Sequence, residues 1–208
     1  MKQDALIVIN QKQNKGEVHK EESYPFEEWF RQHAEIAQSF VKGEKDRWGN
    51  FSGLQMVHEG KIFPDPRLAE SVMRQFFDRV RSISEVYFSG PSVDTDALSK
   101  WAYITAETIS KAYHIAAQCK LRNARRYLED IASRVAPELE ILDPTSEAIE
   151  RVKLRLSKRK SLFRRKKDID LLVKENSLFL LETAEKDVGD ATYYARKRDS
   201  YREEASKY

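Results

Sequence analysis

A chain of 208 residues with one cysteine, Cys119, has no internal disulfide framework. A solitary thiol suits a reducing compartment, so a cytoplasmic location is expected. Glycine and proline are also scarce, at seven and six. An all-β protein needs a turn every eight to twelve residues, which excludes that class. Long apolar runs are missing. The stretch Ala5 to Ile9 near the N-terminus is too short for a signal-peptide core, and nothing reaches the length of a membrane span. Neither a secretory leader nor a membrane partner is therefore expected. Hydrophobic residues make up 40% and charged residues 34% of the chain, which suits amphipathic helices. The length is still enough to bury a core without disulfides or metals.

Catalytic signatures are equally sparse. Neither phosphate-binding glycine pattern, Gly-x-x-x-x-Gly-Lys or Gly-x-Gly-x-x-Gly, occurs. The segment Gly49-Asn-Phe-Ser52-Gly53 sets its first glycine three residues before the serine, where a nucleophile elbow needs two. The four histidines, His19, His33, His58 and His114, form no His-x-x-x-His or Glu-x-x-His pair. Zincin and di-iron patterns are thus excluded. Glu107 and His114 would share a helix face, but a buried, hydrogen-bonded histidine is the expectation there. Lys120 and Arg122 could lower the pKa of Cys119, yet no base accompanies it, so it reads as structural. No cofactor or metal site is expected. One enzymatic alternative remains. Asp46 followed by Glu59-Gly60-Lys61 loosely resembles the Asp…Glu-x-Lys arrangement of metal-dependent nucleases. That resemblance implies carboxylates holding Mg²⁺ and a lysine assisting the attacking water. The central glycine and the shortage of strands count against it.

What is present is helical patterning. Residues 1–23 read as a strand and loop segment, with Ala5 to Ile9 the only strand candidate. Residues 24–142 read as a helical core. Pro25 opens a first helix with the stripe Phe26, Trp29, Phe30, Ala34, Ala37, Phe40 and Val41, and Gly43 stops it. Between residues 44 and 64, Leu54 to His58 and Lys61 to Phe63 could pair as a hairpin across Glu59-Gly60. Asp65-Pro66 signals a new helix whose stripe is Leu68, Ala69, Val72, Met73, Phe76, Phe77, Val80 and Ile83. From Asp94 to Ala136 neither glycine nor proline occurs. The alanine-rich face from Leu98 to Ala117 marks a central helix, with a break possible between Cys119 and Asn123. Trp29, Phe30, Phe76, Phe77, Val80, Trp101, Ile109 and Leu128 are the expected buried core.

Residues 143–208 read as a basic helical C-terminal region, opened by Asp143-Pro144. No glycine or proline follows until Gly189, so 145–188 could be one long helix, or a helical pair, that projects the basic segment. Ile149, Val152, Leu156 and Phe163 give it a narrow seam. Leu171 to Val173 and Leu178 to Leu181 give a wider one, which predicts burial after Ile169. Residues 24–136 would then be the packed body. The fold class is accordingly mostly α: an irregular multi-helix bundle with a long basic C-terminal helix and at most a small hairpin.

The strongest signal for function lies in that region. The net charge of +3 is uneven, at −2 over residues 1–144 and +5 over 145–208. Ten cations and no acid fall between 151 and 167: Arg151, Lys153, Arg155, Lys158, Arg159, Lys160, Arg164, Arg165, Lys166 and Lys167. Like charges at helical spacing repel, so something must compensate them. A nucleic-acid backbone, DNA or RNA, is the first expectation, and the spacing specifies no base contact. The rival is a protein interaction module, an inhibitor or assembly subunit, whose basic helix docks on an acidic protein surface. Either role is compatible with an oligomer or a larger complex. Tyr194, Tyr201 and Tyr208, seven apart, would pack in a core or stack on bases, with the core favoured.

Overall fold

The computed structural model describes residues 34–43, 55–58, 60–87, 95–135, 137, 139–141, 143–158 and 167–208. For 55, 57, 58, 83–87, 95–97 and 167–170 it describes the backbone alone. The chain divides into two compact units, Met1–Glu35 and Ile36–Tyr208. In the first, residues 34 and 35 are described and are helical. The expected strand at Ala5 to Ile9, the Pro25 start, Trp29, Phe30 and Phe163 lie outside the described residues. Everything below concerns the second unit.

Residues 36–42 are helical (α1), and Ala37 and Phe40 are buried. Gly43 ends α1 with φ +68°, a left-handed conformation in which a side chain is strained. A Cβ there would also lie 2.8 Å from the ring of Phe63. The strands β1 (Gln55–His58) and β2 (Lys61–Pro64) form the expected antiparallel hairpin, with Met56 opposite Phe63 and His58 opposite Lys61. Gly60, at φ +75°, supplies the left-handed residue that a tight link needs.

Helix α2 (Pro66–Tyr87) starts where Asp65-Pro66 predicts. The Asp65 carboxylate accepts the Arg67 backbone N–H at 2.8 Å and the Arg67 side chain at 2.9 and 2.7 Å. Its Pro66 occupies the first helical position, where no N–H is needed. Ala69, Met73, Phe76 and Val80 are buried, and Phe76 meets Trp101 edge-on with ring centroids 5.4 Å apart. Phe77 and Trp101, expected in the core, are only half-buried. Adjacent residues lie about 100° apart around a helix, so Phe76 and Phe77 cannot both face inward.

Helix α3 (Thr95–Val135) is unbroken over 41 residues, so the possible break between Cys119 and Asn123 does not occur. Its alanine face is buried at Ala102, Ala106, Ala112, Ala116, Ala117 and Ala124. Small side chains let a neighbouring helix approach closely. That neighbour is α5 (Lys167–Ala205), which continues through Gly189 without interruption. The two run antiparallel. Ser110 donates to the Arg198 carbonyl at 3.1 Å, and Lys120 donates to Asp187 at 2.7 Å. Leu128 shares a cluster with Leu181.

Of the two arrangements expected for 145–188, the structure has the helical pair. Helix α4 (Ser146–Lys158) buries Ala148, Ile149, Val152 and Leu156. Its cap is Thr145, which takes the Ala148 N–H on its hydroxyl at 3.2 Å and the Ile149 N–H on its carbonyl at 3.0 Å. The start lies two residues beyond the expected Asp143, because a threonine at the N-cap does the same work. One apolar cluster joins α1, α2, α3 and the C-terminal part of α5, and a second joins the C-terminal half of α3, α4 and the middle of α5.

Candidate functional site

Helix α4 enters the cation-rich run with one face inward. Ile149, Val152 and Leu156 point into the second cluster, so Arg151, Leu154, Arg155 and Lys158 line the opposite face and are exposed. Their spacing of three, four and seven follows from the helical period. Lys153 sits between the two faces. It pairs with Glu150 at 3.0 Å and closely with Glu185 of α5. Those two carboxylates hold its ammonium above the usual lysine range. One of the ten cations is thus tied to the fold. Arg151 and Lys158 make no ion pair among the described residues. Arg159, Lys160, Arg164, Arg165 and Lys166 lie outside the described residues. Lys167 opens α5, and its side chain lies outside them as well.

The first turns of α5 overturn the expectation of burial after Ile169. Exposure is 55% at Leu171, 65% at Leu172, 43% at Leu178 and 66% at Phe179. Ser177, Leu181 and Ala184 take the inward positions instead. Leu171 and Leu178 are seven apart, as are Leu172 and Phe179, so the four form two rows on the side away from the core. Exposed Glu175 falls between the rows. The sequence showed the leucines but gave no sign of which apolar side would find a partner. Because α3 and α5 run antiparallel, this face lies at the end of the bundle where α3 finishes. Lys158 points toward the same end, since α4 also runs antiparallel to α5, with Ile149 near Val188 and Lys153 near Glu185.

The other titratable clusters are internal. Glu70 of α2 accepts hydrogen bonds from the hydroxyls of Tyr113 and Tyr201 and, at 3.3 Å, from the Lys197 ammonium. Arg74 donates to the Tyr201 hydroxyl at 3.0 and 2.7 Å. The rings of Tyr113 and Tyr201 stack with centroids 6.1 Å apart. Burial pushes the Glu70 carboxyl up, but the two hydroxyls and Lys197 outweigh it and hold the group below the usual range. Burial and the Glu70 carboxylate push Tyr201 up to about 12. Lys120 meets Asp187 at 2.7 Å and Asp190 at 3.0 Å across α3 and α5. Burial lowers its pKa, and those two carboxylates outweigh burial and raise it.

These clusters settle several expectations. Tyr194 and Tyr201 are core residues, whereas Tyr208 lies beyond the end of α5 and is exposed. Cys119 is buried, and burial pushes its thiol up to about 11. His114 is exposed rather than buried, and Glu107 pairs with Lys111 at 2.8 Å. Of the nuclease-like trio, Lys61 is exposed on β2, while Asp46 and Glu59 lie outside the described residues. Among the described residues no group of three or more His, Cys, Asp or Glu could hold a metal ion, and no helix is long and apolar enough to cross a membrane. Comparison with family models, curated proteins and solved structures finds no match for this chain or its fold.

Exposed Leu171, Leu172, Leu178 and Phe179 of α5 and exposed Arg151, Arg155 and Lys158 of α4 are thus the described residues that bear on the sequence-predicted site.

Proposed function

We propose that this chain is a non-enzymatic binding protein, an interaction module or assembly subunit, that docks the cationic end of its bundle on an acidic protein surface. One observation carries the reading: Leu171, Leu172, Leu178 and Phe179 are exposed on the helix that follows directly from the run 151–167. Cations draw an anionic partner, and the leucines gain only from a partner that covers them with apolar groups. A protein offers both. The binding role is further supported by how the fold uses its titratable groups. Glu70, Lys120 and Asp187 are saturated by partners inside helix interfaces. A cytoplasmic setting accords with the single buried thiol.

A nucleic-acid backbone is the second reading, favoured by the ten cations without an acid. Fluorescence anisotropy with 30-mer duplex and single-stranded DNA and RNA separates the two. The protein reading expects weak binding that fades steeply toward physiological salt and is unchanged by Leu172→Glu with Phe179→Glu. Tight binding that persists at physiological salt, and weakens when Arg151, Arg155 and Lys158 become Gln, would establish the nucleic-acid reading instead.

A further inference from the structure

We infer that the outer face of α4 in one copy of this chain docks antiparallel on the outer face of α5 in a second copy, with Arg151 and Lys158 against Glu182 and Glu175. The inference rests on the acidic-protein reading above and supplies the acidic surface from the chain itself.

Two charge patterns carry it. The outer face of α4 presents Glu147, Arg151, Leu154 and Lys158, at steps of four, three and four. The outer face of α5, read backwards, presents Lys186, Glu182, Phe179 and Glu175, at the same steps. Steps of three and four keep each set on one side of its helix. All eight side chains are exposed. None of the six charges makes an ion pair among the described residues.

Laid antiparallel, the two faces match residue by residue. Glu147 falls opposite Lys186, Arg151 opposite Glu182, and Lys158 opposite Glu175. Leu154 falls opposite Phe179, both large apolar side chains left exposed by the fold. Burying that pair supplies affinity, whereas exposed ion pairs add little affinity and fix the register and the partner. One molecule cannot make this contact with itself. Its α4 already packs on α5 through the other side, with Lys153 at Glu185 and Ile149 near Val188. Only a second copy can bring the two outer faces together.

Other arrangements of two copies fit less well. A parallel pairing with Arg151 at Glu175 would set the Glu147 carboxylate on Leu171 and leave Lys186 without an acid. Two α5 faces laid on each other would gather Glu175 and Glu182 from both copies into one contact. The α4–α5 contact joins two different patches, so each copy offers one of each kind. Such a contact closes into a ring or extends by repetition.

Sedimentation of the full chain tests the inference, with two charge-reversal variants. One carries Arg151→Glu with Lys158→Glu, and the other Glu175→Lys with Glu182→Lys. We expect the wild-type mass to rise with concentration above the 24.3 kDa monomer, and to rise less in high salt. Each variant alone should associate roughly tenfold more weakly or worse, because it sets like charges against each other at two positions. Mixed in equal amounts, the two variants should associate again, since every reversed residue then meets an opposite charge. A single chain carrying all four reversals should recover by itself. The circular dichroism spectrum and thermal midpoint should stay in place, because the substituted side chains are exposed.

A wild type that stays monomeric up to about 1 mM overturns the inference and leaves a different acidic protein as the partner. Association that neither variant weakens, or that mixing does not restore, also overturns it. If Leu172→Glu with Phe179→Glu abolishes association while both charge reversals leave it intact, the contact is an apolar one between two α5 helices, and that replaces the proposal. Nucleic-acid binding that persists at physiological salt overturns the acidic-protein reading itself, a separate failure with a separate readout.

Discussion

The Glu70 carboxylate takes two tyrosine hydroxyls and the Lys197 ammonium, and so joins α2, α3 and α5 at one point. Its pKa is depressed in the folded state. Such a group contributes stability that is present above its unfolded pKa, near 4.5, and is lost as pH falls through the folded value. Tyr201 shifts the other way, from 10.0 up to about 12. Its contribution is intact below pH 10 and declines as pH rises toward about 12. Glu70→Gln should therefore cost about 1–3 kcal/mol at pH 7 in urea unfolding, since two buried hydroxyls and an ammonium lose a charged acceptor. The same comparison at pH 3 should show a clearly smaller difference. A difference independent of pH would mean that the charge on Glu70 contributes nothing. At this scale the sequence was informative about caps and turns. Gly43, Gly60 and Asp65-Pro66 do what their local chemistry demands, because each acts on its own backbone. It was silent on Glu70, whose partners lie 43 and 131 residues away.

Helix α5 runs for 39 residues with a glycine in its interior. Gly189 is helical and exposed, and a Cβ built on it meets nothing within 4 Å. Its lack of a side chain leaves room in a groove of about 420 Å³ between α4 and α5, flanked by Ile149, Tyr193 and Arg196. Gly189→Ala should then stabilise the protein by about 0.5–1 kcal/mol, since alanine gives up less conformational freedom in a helix. A loss of stability in chemical denaturation would show that the open space at Gly189 matters to the packing of α4. Elements were legible wherever a single apolar stripe occurred. The stripes Ala69, Met73, Phe76 and Val80, and Ile149, Val152 and Leu156, are buried as their periods predict. Where a segment is apolar on two sides, as from Leu171 to Leu181, periodicity gives no preference between them. One helix or a pair for 145–188 was left open for a related reason: no glycine or proline occurs there before Gly189 to mark a boundary.

Across the whole second unit, the antiparallel pairing of α3 with α5 and of α5 with α4 gathers three helix ends at one place. The C-terminus of α3, the C-terminus of α4 and the N-terminus of α5 meet there. Charge and exposed apolar surface coincide at that end, whereas the opposite end buries Tyr113, Tyr194 and Tyr201. The basic run is plain in the sequence, and of its cations Arg151, Arg155 and Lys158 are exposed on α4. That Leu171, Leu172, Leu178 and Phe179 are exposed took the fold to reveal.

The most direct measurement is site-specific photo-crosslinking from position 172, with position 118 of α3 as a control, in lysate of the source cells before and after nuclease treatment. The account predicts a discrete protein adduct from position 172 that survives nuclease. It should be absent from position 118 and lost when Arg151, Arg155 and Lys158 become Gln. An adduct that disappears with nuclease, or a position 172 that yields no more than position 118, would contradict it.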